Sequence, residues 1–258
     1  MAKSLEQLRV LVTRPEHQAE NLIQLLQAEG AEPVPFPLLQ IEPITETSSG
    51  FHILKQQIMD LDLFQHLIFV SPNAANFGCD WIDQYWPQLP VGIQWLAIGK
   101  KTAETLSNFG IDAYHSSLGY DSEALLESPA LQNIAGEKVL IMRGEGGREK
   151  LAEELRARGA EVSYAELYRR SCPDHNNNDI LQALQPSPDY IMISSGEGLN
   201  NLLNLAKQTI QLSADSLRQC HLVVPSERIN KEARQAGFNK ITTASGPDDQ
   251  AMLKALML

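Results

Sequence analysis

Cysteine is scarce in this 258-residue chain, and Cys79, Cys172 and Cys220 are far apart, odd in number and form no CxxC pair. That excludes a disulfide framework and a cysteine-based zinc site, leaving reduced, mostly buried thiols in a cytoplasmic protein as the expectation. Long apolar runs are missing too. None approaches the roughly 20 residues that span a bilayer, so no membrane segment is predicted. The opening "MAKSLEQLRVLVTRP" lacks the apolar core and small-residue cleavage site of a signal peptide. Positive charge is short: 21 Lys+Arg against 32 Asp+Glu give a formal net charge of -11. General nucleic-acid binding, which carries a basic footprint, is therefore not expected. Net charge says nothing about a local patch, so the placement of the arginines matters more than their number. The six histidines are scattered, with no HExxH and no cysteine at ligand spacing, so no metal is expected. Ser71, Ser194 and Ser226 have no nucleophile elbow around them, which argues against a catalytic triad.

What is present is a duplication. "VLVTRPEHQAENLIQLLQAEGAEPVPF" from Val10 returns as "VLIMRGEGGREKLAEELRARGAEVSYA" from Val139, placing Arg14 on Arg143 and Gly30 on Gly159. "LIFVSPNAAN" from Leu67 answers to "YIMISSGEGL" from Tyr190. "GIDAYHSSLGYDSEALL" from Gly110 answers to "GFNKITTASGPDDQAML" from Gly237, placing Asp121 on Asp248. A repeat of this length is a whole small domain rather than a solenoid unit. Two domains also suit the length, at roughly 150 residues each. Similar domains on one chain imply a ligand cleft between them.

Periodicity assigns the elements. Val10–Thr13 is a short apolar run of the kind found in buried parallel strands. Ala19, Leu22, Ile23 and Leu26 then recur at helical spacing, with Gly30 as the helix stop. In "AEPVPFPLLQIEP" the prolines at 33, 35 and 37 restrict the chain to an edge strand or a connector. Leu67–Val70, Trp95–Ile98, Tyr190–Ile193 and Leu222–Val224 are further strands running into helices. Alternating strands and helices give an α/β fold with parallel sheets, whose ligand groups lie at the carboxyl ends of the strands.

Those ends are polar, and they come from both halves. "RGEGGRE" sets three glycines and the flanking Arg143 and Arg148 at a helix start, a ready anion site. As a dinucleotide fingerprint it fails, because Glu149 holds the third glycine position. "SSGEG" from Ser194 suggests a phosphate cradle but lacks the Lys-Ser/Thr pair of a P-loop. A glycine-bearing strand–helix turn accounts for both.

The ordered set "VLVTRP" at the N-terminus, "IFVSPNAA" from Ile68, "AIGKKTAETL" from Ala97, "RGEGGRE", "LYRRSCP" from Leu167 and "VVPSERI" from Val223 resembles the bacterial uroporphyrinogen-III synthases. The resemblance runs along nearly the whole chain. It implies two similar parallel-sheet βαβ domains joined by a two-stranded linker, with a cleft between them. The first would be discontinuous, residues 1–36 plus 173–258, the second would span 43–166, and the linker strands would be 36–43 and 166–173. So the copies are expected to interleave rather than follow each other. The resemblance further implies a cytoplasmic, monomeric enzyme without metal or organic cofactor that closes the linear tetrapyrrole hydroxymethylbilane into uroporphyrinogen III. Water is lost and ring D is inverted through a spirocyclic pyrrolenine. Since the pyrroles supply the reactivity, the protein's task is to fold the chain so that the right carbon attacks. Tyr168, in the linker motif, is the implied general acid, since a phenol with a pKa near 10 keeps its proton at neutral pH. Thr102 would orient the leaving hydroxyl or a propionate. Ser71, Asn73, Gly144, Ser194, Ser195 and Ser226 would hold acetate and propionate groups, Asn73 standing where some relatives carry a basic residue. Arg14, Lys101, Arg143, Arg148 and Arg228 would supply the positive field. The other function class left open is a non-catalytic two-domain module that binds a small anion or nucleotide. It predicts tight binding without turnover.

Overall fold

The structure is a computed structural model that describes residues 4–117, 119, 121–147, 149–208 and 214–258. Along the chain run β1 (Arg9–Val12), α1 (Glu16–Ala28), β2 (Glu32–Pro35), β3 (Gln40–Pro43), α2 (Phe51–Met59), β4 (His66–Phe69), α3 (Pro72–Tyr85), β5 (Gln94–Ala97), α4 (Lys100–Ser107) and α5 (Ser122–Leu126). These are followed by β6 (Lys138–Gly144), α6 (Lys150–Ala157), β7 (Glu161–Ser171), α7 (Asn177–Leu184), β8 (Tyr190–Met192), α8 (Gly196–Gln208), α9 (Ala214–Gln219), β9 (His221–Val224), α10 (Glu227–Gln235), β10 (Ile241–Thr243) and α11 (Asp249–Leu256).

The chain divides into two compact units. Unit 1 comprises Met1–Ile41 with Ser171–Leu258, and unit 2 comprises Glu42–Arg170. Each contains a five-stranded sheet, ordered β10-β9-β8-β1-β2 in unit 1 and β3-β7-β6-β4-β5 in unit 2. Strands β10 through β2 in unit 1 and β7 through β5 in unit 2 pair parallel throughout. Reading β9-β8-β1-β2 against β5-β4-β6-β7 gives the same order in terms of the sequence repeat. Even the short β10 has its counterpart, a single parallel bridge from Tyr114 to Leu96 beside β5. In unit 1, β1 of the first copy pairs with β8 of the second, and β2 follows β1 at the edge.

Side-chain alternation explains the layers. In β1, Val10 and Val12 face α1 and α11, while Leu11 faces the core built with α7, α8 and α10. In unit 2, Ile68, Leu96, Val139 and Ile141 pack on α5 and α6. Gly78 of α3 lies close to Phe69 in β4: a β-carbon on it would come within 2.8 Å of that ring.

The proline-bearing segment forms the sheet edge, as its composition requires. Glu32 and Phe36 donate their N–H groups to Leu8 and Val12, at 2.8 and 2.9 Å. In a strand the intervening residues face the other way, so Pro33 and Pro35 turn their N–H-less nitrogens to the open edge, where no bond is lost.

The cysteines behave as structural residues. Burial, with Asp80 adding to it, pushes the Cys79 thiol up to about 12. A thiol of that pKa is about one part in ten thousand thiolate at pH 8. We therefore expect Cys79 to resist iodoacetamide at pH 8 in the native protein and to react within minutes in denaturant, as read by mass spectrometry.

Candidate functional site

The site in unit 2 begins with an irregularity. β6 and β7 pair in register from Lys138↔Glu161 to Arg143↔Glu166, then slip by one, so that Gly144 faces Tyr168. Beside the slip, Leu167 and Tyr168 are both buried. Tyr168 is 6% exposed and lies across Gly144: a β-carbon at 144 would sit 2.5 Å from its ring. Phe77 of α3 supports the ring at 5.5 Å between centroids. The Tyr168 hydroxyl meets Ser71 Oγ at 3.1 Å. Ser71 is itself fixed as the N-cap of α3, accepting the Ala74 N–H at 3.1 Å with Pro72 at the first helical position. Ser71→Ala removes both bonds, and the lost cap alone is worth about 1 kcal/mol. A thermal melt checks that loss.

Around this pair lies a cavity of about 350 Å³, at the carboxyl ends of β4, β5, β6 and β7. Its polar lining comes from Ser71, Asp121, Ser122, Arg143, Tyr164, Tyr168 and Arg170, and Gly144, Gly146 and Gly147 form its glycine wall. Arg143 is 5% exposed. Its Nε donates to Gly144 O at 3.2 Å, its guanidinium lies 4.4 Å above the Tyr164 ring, and one terminal nitrogen reaches Glu149 Oε1 at 3.3 Å. Glu149 is half exposed and also accepts the Tyr164 hydroxyl. That hydroxyl, with the Arg143 charge behind it, holds the Glu149 carboxyl below its usual range. Burial first, then the bond to Glu149, pushes the Tyr164 phenol up. The arrangement can bind a carboxylate on Arg143 while presenting a phenol and a hydroxyl beside it.

The other residues singled out from the sequence are dispersed. Thr102 is 2% exposed, beside buried Ala103 in α4, and does not line the cavity; the neighbouring Lys101 is exposed. Asn73 stands half-buried in the first turn of α3. Arg148 lies outside the described residues. In unit 1, Arg14 is ion-paired with Asp249 and also donates to Pro247 O. Ser195 accepts the Gly198 N–H at 3.0 Å ahead of α8, and Ser194 beside it is half-buried. Ser226 precedes α10 without a side-chain capping bond, and Arg228 pairs with Glu232 at 2.6 Å on the surface. Sequence reasoning missed Asp121, Ser122, Tyr164 and Arg170. Tyr164 reaches the site because the parallel register of β6 and β7 sets it opposite Ile141, two residues before Arg143.

The comparisons with known proteins agree with this fold. The profile of the family described as "Uroporphyrinogen-III synthase HemD" matches residues 20–254. The chain belongs to the uroporphyrinogen-III synthase family. It is 34% identical over 252 residues to the uroporphyrinogen-III synthase of Escherichia coli strain K12, covering 96% of this chain and 99% of that one. Over 254 residues it is 35% identical to the Salmonella typhimurium LT2 enzyme of the same name, again at 96% and 99% coverage. Among solved structures, a mutant uroporphyrinogen III synthase from Thermus thermophilus matches with a TM-score of 0.63 and 18% identity, over 96% of this chain and 97% of that one. The Helicobacter pylori 26695 uroporphyrinogen-III synthetase matches at 0.59 and 14%, over 97% and 98%. At such identities these structures support the α/β fold. Among the described residues no group of three His, Cys, Asp or Glu side chains could hold a metal, and no helix is long and apolar enough to cross a membrane.

Proposed function

We propose that the protein cyclises hydroxymethylbilane to uroporphyrinogen III, in tetrapyrrole biosynthesis in the cytoplasm, acting as a monomer. The observation that carries this reading is the buried Tyr168 hydroxyl, bonded to a helix-capping Ser71 in a cavity that also presents Arg143. Membership of the family and full-length similarity to its enzymes support it and count against a binding module.

In this reading the electrons of the first pyrrole break the C–O bond of its hydroxymethyl group. Tyr168 gives its proton to the departing hydroxide, so that water leaves and an azafulvenium cation remains beside the tyrosinate. Ser71 Oγ fixes the direction of the phenol. The substituted carbon of ring D then attacks, and the spirocyclic pyrrolenine fragments and recloses with ring D inverted. Ring D loses a proton as aromaticity returns, that proton restores the Tyr168 phenol, and no metal or organic cofactor takes part. Arg143 holds one substrate carboxylate so that the reacting carbons meet. Thr102, buried in α4, orients the leaving hydroxyl or a propionate. Asn73, Lys101 and Arg148 in unit 2, with Ser194, Ser195, Ser226 and Arg228 in unit 1, serve the remaining carboxylates, Arg14 being taken up by Asp249, and segments 36–43 and 166–173 serve as the linker. Expression in a bacterium stripped of its own uroporphyrinogen-III synthase tests the reading. Growth without added haem supports it, and failure to grow despite soluble protein overturns it.

A further inference from the structure

The duplication contains its own control for Arg143. Arg14 and Arg143 hold matching places in the two copies. So do the N-cap residues Asp248 and Asp121, whose carboxylates accept the N–H of Ala251 and of Ala124, each at 2.9 Å. The residues that follow, Asp249 and Ser122, are therefore equivalent. In unit 1, Asp249 pairs with Arg14 and accepts a second bond from Asn21 at 2.5 Å, and both members of the ion pair are largely buried, at 12% and 20% exposed. In unit 2 the equivalent residue is neutral, and Ser122 and Arg143 line one cavity. The nearest carboxylate on Arg143 is the 3.3 Å contact to half-exposed Glu149, long for a charged pair and not bidentate. Gly147 keeps the far side open, since a β-carbon there would come within 2.9 Å of the second terminal nitrogen. Among the described residues that nitrogen makes no hydrogen bond. Asp121 also lines the cavity, but its carboxylate is engaged in the cap.

We propose that the two units carry one carboxylate receptor in two states: Asp249 plugs it in unit 1, and Ser122, by omitting that plug, opens it at Arg143 in unit 2. The open receptor takes a single alkyl carboxylate, the chemistry of an acetate or propionate arm. That such an arm belongs to a tetrapyrrole rests on the proposed function; the receptor itself does not.

The test is a propionate titration of the full chain at neutral pH, reading arginine side-chain resonances by NMR. In the wild type Arg143 shifts with propionate and Arg14 does not. Ser122→Asp weakens the Arg143 response at least tenfold, whereas the neutral Ser122→Asn holds it within about threefold. Asp249→Ser makes Arg14 respond, a gain that no merely structural role produces. Should Ser122→Asp not fold, the wild-type comparison and Asp249→Ser decide the matter. A silent Arg143 in the wild type, a folded Ser122→Asp that binds propionate unchanged, or a silent Arg14 in Asp249→Ser overturns the proposal. Propionate binding without formation of uroporphyrinogen III would overturn the proposed function and leave the receptor standing. Turnover with a silent Arg143 would do the reverse.

Discussion

Replacing Tyr168 with phenylalanine lowers kcat about 100-fold, the lower end of what a positioned general acid contributes. Such a loss corresponds to about 2.7 kcal/mol of transition-state stabilisation. The substitution removes one oxygen and leaves the ring between Phe77 and Gly144, so the local packing stays intact. Ser71 keeps its bond from the Ala74 N–H, and so α3 keeps its cap. KM should therefore stay within about threefold, because substrate carboxylates do not need the phenol. Steady-state kinetics with unchanged thermal stability check this outcome. A kcat within threefold of wild type removes Tyr168 as the acid without touching the fold.

Gly144→Ala has a larger effect because it damages position as well as chemistry. The added carbon would lie 2.5 Å from the Tyr168 ring, against backbone that the sheet does not let move. The ring must swing off Gly144, which breaks the 3.1 Å contact with Ser71 and shifts the wall of the cavity. Overpacking of this kind costs about 1–3 kcal/mol of stability. Activity should fall by at least the factor lost in Tyr168→Phe, and the double variant should lose little more, since both act through one hydroxyl. Melting curves and kcat for the two single variants and the double variant check it.

Several elements were legible in the sequence because their causes are local. The apolar run at Val10 and the 3.6-residue spacing of Ala19, Leu22 and Leu26 needed no tertiary context. Pro33 and Pro35 announced a sheet edge, because a residue without an N–H has few other places in a sheet. The strand-end rule likewise located Ser71, Arg143 and Gly144, which the structure brings into one cavity with Tyr168. What sequence reasoning missed depends on register and partners. A one-residue slip between Arg143 and Gly144 sets Tyr168 against Gly144, and no pattern in "LYRRS" announces a bulge. Tyr164 and Ser122 join the site only through pairing with β6 and packing of α5. Arg14 and Arg143 read alike in sequence, yet one is closed by Asp249, whose own place in the repeat was visible only residue by residue. Charge composition gave no hint of this difference, since the net value of -11 sums over both.

The central claim is that this chain directs ring closure with inversion of ring D. Hydroxymethylbilane closes without an enzyme to the type I ring, so the ratio of isomers separates guided from unguided closure. The decisive measurement is chromatographic separation of the oxidised products after incubating the purified protein with freshly generated hydroxymethylbilane. The type III isomer is expected as the main product, appearing faster than type I does in the protein-free control. Type I alone, from folded protein, would contradict the claim.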